Sequence, residues 1–401
     1  MLEFEEALAR ILAAIPPIAS ERAVLSEAHG RVLARQVMSP VDLPLFDNSA
    51  MDGYAVRADD LAQAKPESPV RLRLCGKVAA GENFKGEIPS GSCVRLFTGS
   101  PMPSGADAVV MQEDTLVEPK DPAGIWILEA VKPWENVRLR ATDIKRNARV
   151  AEAGERLTAG EISLLAATGI ESVCVGRRPK VGLVATGSEL KEPGQPLADA
   201  QIYESNRLGL AALVRNAGAL PATLPLVADS LAATRLALEE AFNQCDVVVT
   251  SGGASVGEMD FIRRAFEQGG GDLQFWRVAI KPGRPFMFGH RRGKLFFGLP
   301  GNPVSAFVTF LLFVRPALLC WQGGTHLALP AHPATLAEPL ANPSDRRHFL
   351  RVKVDEMGTI RSAGLQASHA LSSLAAANGL VELPPRTTWP TGTTVQVMRW
   401  E

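Results

Sequence analysis

The sequence predicts a multidomain α/β protein: a doubly wound, mostly parallel α/β domain, preceded by a β-rich insert and followed by a small C-terminal β-barrel. Three observations predict it. From Pro179 onward short β-branched runs alternate with helical stretches, and such alternation implies a parallel sheet covered on both faces. Between Val70 and Glu118 short alternating runs are separated by glycine and proline, the texture of a β-rich unit. After Gly323-Gly324 the helical periodicity disappears and only short strand-like runs with Gly and Pro turns remain.

Bulk properties narrow the classes. A chain of 401 residues exceeds one hydrophobic core, so roughly two to four domains are expected. A formal net charge of −1 gives no electrostatic basis for nucleic-acid binding. The start, Met1-Leu-Glu-Phe-Glu-Glu, lacks the basic and apolar regions of a signal peptide. The longest apolar helical stretch, residues 304–321, carries Arg315 and Pro316 and reads as a buried helix rather than a membrane span. The five cysteines are scattered without a Cys-x-x-Cys pair, and the six histidines include no His-Glu-x-x-His. That pattern speaks against a disulfide framework, a zinc site or a redox pair. A reduced, cytoplasmic protein is expected.

In chain order, residues 2–15 place Phe4, Leu8, Ile11, Leu12 and Ile15 on one helical face, stopped by Pro16-Pro17. Residues 23–37 carry a second helical pattern, interrupted at His29-Gly30. The stretch from Leu43 to Val56 is rich in turn formers, which hydrogen-bond nearby backbone. In the β-rich unit Val70, Leu72 and Leu74 alternate with arginines, and Thr98-Gly99 directly follows the run 93–97. A binding loop and a plain turn are both open there. Residues 138–149 form a polar run in which Asp143 is flanked by five basic residues, either a solvated surface or a clamp for an acidic ligand. Residues 157–169 return to helix.

The α/β part begins with a strand at 181–185 and the loop Thr186-Gly-Ser-Glu-Leu190. Asn206 is expected to cap a helix from Arg207 that ends before Gly218, and residues 230–243 form another helix. The stretch around which this part is organised is Asp246-Val-Val-Val-Thr-Ser-Gly-Gly-Ala-Ser-Val-Gly-Glu-Met-Asp260. A β-branched strand running through glycines into a helix directs backbone N–H groups at one spot, which suits an anion such as phosphate. A tight βα turn without a ligand fits equally well. Neither a Walker A loop nor a dinucleotide fingerprint is present. Residues 277–280 lead into Lys281-Pro-Gly-Arg-Pro285, and residues 295–298 into Leu299-Pro-Gly-Asn-Pro303, where Asn302 is a natural N-cap and Pro303 a natural first helical residue. Ligands of doubly wound sheets gather beyond the carboxyl ends of the strands, and four polar, glycine-bearing loops are expected there. Runs at 349–354, 380–383 and 393–398 read as the strands of the last domain.

The loops carry Glu189, Asp229 and Asp260, with Asp52 and Asp143 from the first half. Carboxylates beside phosphate repel unless a hard cation intervenes, which implies Mg²⁺. Lys281 and Arg284 supply positive charge for an oxyanion. These residue types favour metal-assisted phosphate chemistry over acyl transfer or redox.

The segments Asp47-Asn-Ser-Ala-Met-Asp-Gly-Tyr-Ala55, Thr98-Gly with Gly105-Ala-Asp-Ala-Val-Val110, Thr250-Ser-Gly-Gly, Ser255-Val-Gly, Lys281-Pro-Gly and Gly298-Leu-Pro-Gly-Asn-Pro-Val-Ser-Ala306 resemble the molybdopterin molybdenumtransferase family, that of bacterial MoeA and the gephyrin E domain. The match runs in order along nearly the whole chain. The resemblance implies an elongated domain of split sequence (1–48 with 140–176), a β-rich insert (49–139), the α/β molybdopterin-binding domain (177–326) and the barrel (327–401). It implies a homodimer with a cleft lined by both subunits, the substrates adenylylated molybdopterin and molybdate, and Mg²⁺-dependent release of AMP. The partners implied are a molybdopterin adenylyltransferase upstream and cofactor-maturation proteins or molybdoenzymes downstream, with neither nucleic acid nor membrane.

Carried over by motif, Asp52, Thr98, Glu189, Asp229 and Asp260 match catalytic positions, with Glu189 and Asp260 handling Mg²⁺ or the attacking oxygen. Ser251, Gly252 and Gly253 cradle the pterin or pyrophosphate. Lys281, Arg284, Pro300 and Pro303 line the molybdate and phosphate region, and Arg351 and Ser368 add the C-terminal domain's contribution. Arg284 stands where lysine is common, which keeps the charge and changes the donor geometry. Ala141-Thr142-Asp143 lacks the glycine often found before that aspartate. Two other readings remain: an adenylyltransferase that binds molybdopterin with ATP, and a pterin carrier without catalysis.

Overall fold

Helix α1 (Phe4–Ala13) opens the chain with Ala7 and Ile11 facing inward. Phe4 packs on Phe313 and Phe349, with ring centroids 5.4 and 5.7 Å away. The computed structural model describes residues 1–252 and 261–400. They form two units, a smaller one of residues 36–152 and 158–172 and a larger one of residues 1–35, 153–157 and 173–401.

The smaller unit is built on strands β1 (Gly53–Val56), β2 (Val70–Val78), β3 (Ser92–Leu96), β4 (Ala108–Met111), β5 (Thr115–Glu118) and β6 (Asp121–Ile127), in the sheet order β4-β1-β3-β2-β6-β5. Alternate residues bury on opposite faces: Tyr54 and Val56 with Leu72 and Ile125 on one, Ala55 with Val94 and Leu96 on the other. The period of two in the sequence is this two-sided burial. Gly53 lies in register between Leu96 and Met111, and a Cβ there would stand 2.0 Å from Val110 O. Only glycine allows that approach. Helix α2 (Ala159–Ala167) starts with a capping box between Thr158 and Glu161.

The helical pattern at 23–37 does not become a helix. Residues Ser20–Val24 are a strand and Leu25–Glu27 a single 3₁₀ turn, after which Gly30 takes φ +71°. Leu33 and Ala34 then donate backbone hydrogen bonds to Glu155 O and Cys174 O at 2.9 Å each. Long-range pairing wins over local periodicity here.

In the larger unit come β7 (Lys180–Ala185), α3 (Asn206–Asn216), β8 (Leu220–Thr223), α4 (Leu231–Gln244), β9 (Val247–Ser251), α5 (Phe261–Gln268), β10 (Asp272–Phe275), β11 (Met287–Arg291), β12 (Lys294–Leu299) and α6 (Pro303–Trp321). The sheet runs β8-β7-β9-β12-β11-β10. The first four strands are parallel, β11 pairs antiparallel with β12, and β10 pairs antiparallel with β11. Val247 and Val249 join the core formed with α1, α3 and α6, while Val248 joins the core under α4 and α5. A strand buried on both faces explains the unbroken valine run. Helix α6 is long and apolar enough to cross a membrane, but 83% of its apolar window is buried inside the unit. It is a core helix, as its sequence predicts.

The C-terminal strands β13 (Ala331–Leu336), β14 (Arg347–Val354), β15 (Thr359–Ser362), β16 (Gly379–Leu383) and β17 (Thr394–Met398) close through β14-β15-β13-β17-β16-β14 into a five-stranded barrel. Helix α7 (Leu371–Ala376) lies between β15 and β16. Leu336, Leu350, Val352, Ile360, Val381 and Val397 are among the residues of its core. Residues Ile280–Lys281 form a short strand that joins this barrel sheet and not the α/β sheet, pairing in parallel with Arg347 and His348 of β14. The Lys281 loop is therefore held by the barrel.

Candidate active site

Strands β7, β9 and β12 end at Ala185, Ser251 and Leu299. Beyond these ends lies a cleft of about 780 Å³. Helices α3 and α6 start on it, at Asn206 and Pro303, and Asp229 stands on it one residue before the Ser230 cap of α4. Free N–H groups and the positive ends of helix dipoles favour an anionic ligand at such a place. Three of the four expected loops line the cleft. The Lys281 loop contributes only Pro285, because its strand belongs to the barrel.

The glycine loops are packed against one another. Gly252 has φ +96°, and a Cβ on it would lie 2.6 Å from Thr186 O. A Cβ on Gly301 would meet Gly252 Cα at 3.4 Å. Asn206 ties both loops down: its amide nitrogen donates to Ser251 Oγ at 2.6 Å and to Gly301 O at 2.8 Å. It is the first residue of α3 and not its cap, a place held by Ser205, so its side chain is free to reach across. Thr186 lines the cleft with a buried hydroxyl that has no partner among the described residues.

Glu189 and Asp229 are both exposed on the cleft. Asp229 is fixed reciprocally: Ser188 N–H donates to its Oδ2 at 3.0 Å, and its own N–H donates to Ser188 Oγ at 3.2 Å. Glu204, which the sequence reading passed over, also lines the cleft. It is buried and accepts from Arg207 Nε at 3.0 Å. Arg207 also donates to Glu192 Oε1 at 2.7 Å. The spacing Glu204-x-x-Arg207 on a helix start was the available signal.

Pro300 and Pro303 line the cleft as expected. Ser368 sits beside the start of α6, where its carbonyl accepts from Val304 N–H at 3.1 Å. The neighbouring His369 lines the cleft. Arg351 is fully buried. It donates to Ser373 Oγ at 3.0 Å, and to Leu365 O and Ala367 O at 2.8 and 3.2 Å. Its Nη1 has no partner among the described residues. Burial lowers the guanidinium to about 10. His348, in register with Lys281, is also buried with neither ring nitrogen bonded. Burial first, then Lys281, Arg351 and Arg346, push it down to about 4. Three cations thus surround a neutral imidazole, and of them Arg346 pairs with Asp345 at 3.8 Å. Arg284 is exposed, with no side-chain partner among the described residues.

In the smaller unit, Thr98 donates to Asp52 Oδ1 from both its backbone N–H and its hydroxyl, at 2.8 Å each. These two bonds, N–H first, hold the carboxyl below its ordinary range, and Arg95 adds to the effect. Asp143 stands on an exposed turn, its N–H donating to Leu43 O at 3.0 Å. Gly253 and Asp260 lie outside the described residues.

Among the described residues no three His, Cys, Asp or Glu side chains gather as a metal cluster. Mg²⁺ needs only one or two carboxylates when water and phosphate oxygens complete its shell. Glu189 and Asp229 are exposed carboxylates on the cleft that would hold it.

Residues 2–169 match the MoeA N-terminal region (domain I and II), residues 182–319 the probable molybdopterin binding domain, and residues 333–400 the MoeA C-terminal region (domain IV). The chain is 40% identical over 389 residues to a molybdopterin molybdenumtransferase of Haemophilus influenzae, covering 96% of this chain and 94% of that protein. It is 37% identical over 388 residues to molybdopterin molybdenumtransferase 2 of Mycobacterium tuberculosis, covering 95% and 94%. The crystal structure of a molybdopterin biosynthesis MoeA protein from Pyrococcus horikoshii superposes with a TM-score of 0.84 at 33% identity, covering 100% of both chains.

Proposed function

The chain belongs to the MoeA family of molybdopterin molybdenumtransferases, and from that premise we propose that it transfers molybdenum from molybdate to adenylylated molybdopterin, releasing AMP in the last step of cofactor assembly. The observation that carries the proposal is the cleft itself. Two mutually packed glycine loops, two helix starts and two carboxylates surround a space of about 780 Å³. That is the size of a small-molecule site and the chemistry of a phosphorylated one.

In this reading Ser251 and Gly252, with Gly253, cradle the pyrophosphate or pterin, and Asn206 keeps the two glycine loops at their spacing. Glu189 and Asp229, with Asp260 by its place in the motif, would hold Mg²⁺, which supplies charge neutralisation at the bridging phosphate oxygens when bound. The carboxylate that does not hold the ion accepts a proton from the attacking water as its oxygen bonds to the adenylyl phosphorus, the adenylyl P–O bond breaks and AMP leaves. Lys281 and Arg284 attract the molybdate oxyanion, buried Arg351 adds positive charge to the field there, and Pro300, Pro303 and Ser368 shape its surroundings. Asp52 and Thr98 act as a pair fixed by two hydrogen bonds. The reading includes a cytoplasmic homodimer, a molybdopterin adenylyltransferase as supplier, and cofactor-maturation proteins or molybdoenzymes as recipients.

The test is AMP release from adenylylated molybdopterin with Mg²⁺, with and without molybdate or tungstate. Molybdate-stimulated release is expected. Tight pterin binding without AMP release would make the protein a carrier, and ATP consumption with molybdopterin would make it an adenylyltransferase.

A further inference from the structure

A second cleft of the larger unit, about 500 Å³, is lined by Arg31, Arg156, Arg178 and Arg215 together with His29 and Trp400. No acidic side chain lines it among the described residues. Arg31 is 7% exposed. Its Nη2 donates to Gly176 O at 2.9 Å and to Glu21, while its Nε has no partner. Arg156 is oriented by Gly30 O at 3.1 Å and Asn216 O at 3.2 Å. Arg178 and Arg215 are exposed, with no side-chain partner among the described residues.

The carbonyl end of α3 accounts for one of these cations, since Asn216 O accepts from Arg156. It does not account for four. Guanidiniums collected around one space repel one another, and Glu21 compensates only Arg31. Planar guanidiniums bind phosphoryl oxygens in pairs. The volume exceeds a single tetrahedral oxyanion, which occupies roughly the space of a few waters at about 30 Å³ each. Trp400 adds a flat apolar ring, braced edge-on by Phe307 at 5.5 Å. We propose that this cleft is an anion site separate from the one beyond the parallel strands, taking an oligophosphate of two or more linked phosphoryl groups, either free or as the tail of a nucleotide.

The experiment is calorimetric titration of the full chain with tripolyphosphate and, separately, with ATP, at low and at physiological salt. Both ligands bind, more weakly as salt rises. The paired change Arg178→Glu with Arg215→Glu weakens both by about tenfold or more, while circular dichroism stays unchanged because neither side chain is bonded among the described residues. Trp400→Ala separates the sources: it weakens ATP alone if a nucleotide is the ligand, and neither if the ligand is a free oligophosphate. Unaltered affinity in the charge-reversed protein overturns the proposal. So does binding that Asn206→Ala abolishes and the arginine changes do not, which places the ligand in the other cleft. A charge-reversed protein that binds normally but changes its oligomeric state by sedimentation also overturns it, and makes the arginines a protein contact.

Discussion

Asn206 holds Ser251 by a hydrogen bond of 2.6 Å from its side-chain amide to the serine hydroxyl, and the same nitrogen reaches Gly301 O at 2.8 Å. The two residues are 45 positions apart in sequence, so this tie fixes the end of β9 against the start of α3. Asn206→Ala leaves a buried serine hydroxyl short of a donor and frees the Gly301 loop. A loss of about 1–3 kcal/mol in stability is expected, with AMP release falling more than substrate binding. Asn206→Asp keeps the size but cannot donate to a carbonyl, so it should behave like the alanine variant. Full activity in either would show that the loops hold their spacing unaided.

Gly252→Ala and Gly301→Ala form a graded pair. At Gly252 the backbone is left-handed, and the new methyl would press on Thr186 O at 2.6 Å. At Gly301 the nearest atom is at 3.4 Å, an ordinary contact. Gly252→Ala is expected to cost about 1–3 kcal/mol in strain and to remove most AMP release. Gly301→Ala should stay near wild type in both. Thermal melts and turnover of the two variants side by side check this. Equal effects would mean that the glycines matter for something other than close approach.

What was legible in the sequence was what depends on neighbours. The valine run of β9 announced a fully buried strand, and the pattern of residues 157–169 announced a helix. The alternation of Leu72 with Arg71 and Arg73 announced a strand of a β-rich unit. What was not legible depends on distant partners. Asparagine at a helix start usually caps it, so nothing local revealed that Asn206 bonds two other loops. The apolar spacing of residues 23–37 fits a helix until their backbone pairs with residues 155 and 174. Lys281 follows a strand-like run, but the sequence does not say which sheet that strand joins. Arg351 stood in the sequence as an oxyanion-binding residue of the C-terminal domain, and nothing local revealed that it is buried and bonded to Ser373.

Thr98→Val removes one of the two donors to Asp52 and keeps the backbone one. Both bonds favour the ionised carboxylate, so Asp52 stays charged to lower pH than an ordinary aspartate. With the hydroxyl gone, its pKa rises toward the ordinary value. If the charged form of Asp52 is the one that works, the acid limb of the pH profile for AMP release moves to higher pH in Thr98→Val. Asp52→Asn should then lose activity without any such shift. An acid limb that stays in place after Thr98→Val would remove Asp52 ionisation from the reaction.

His348 makes stability depend on pH. In the fold its ring is buried with neither nitrogen bonded, and protonation is pushed from 6.5 down to about 4 by burial and by Lys281, Arg351 and Arg346. Between these two values the unfolded chain binds a proton that the folded chain refuses. Unfolding therefore takes up a proton, and stability must fall as pH drops from about 6.5 through 4. Above the upper value both states are neutral, below the lower one both are charged, and the contribution is flat. The full loss is on the order of 3 kcal/mol. Urea unfolding between pH 4 and 7 should show this slope in the wild type. His348→Leu, which fills the site without a titrating or unsatisfied group, should flatten it while leaving stability near neutral pH equal or slightly higher. The same slope in both proteins would assign the pH dependence to other residues and return His348 to a purely spatial role beside Lys281.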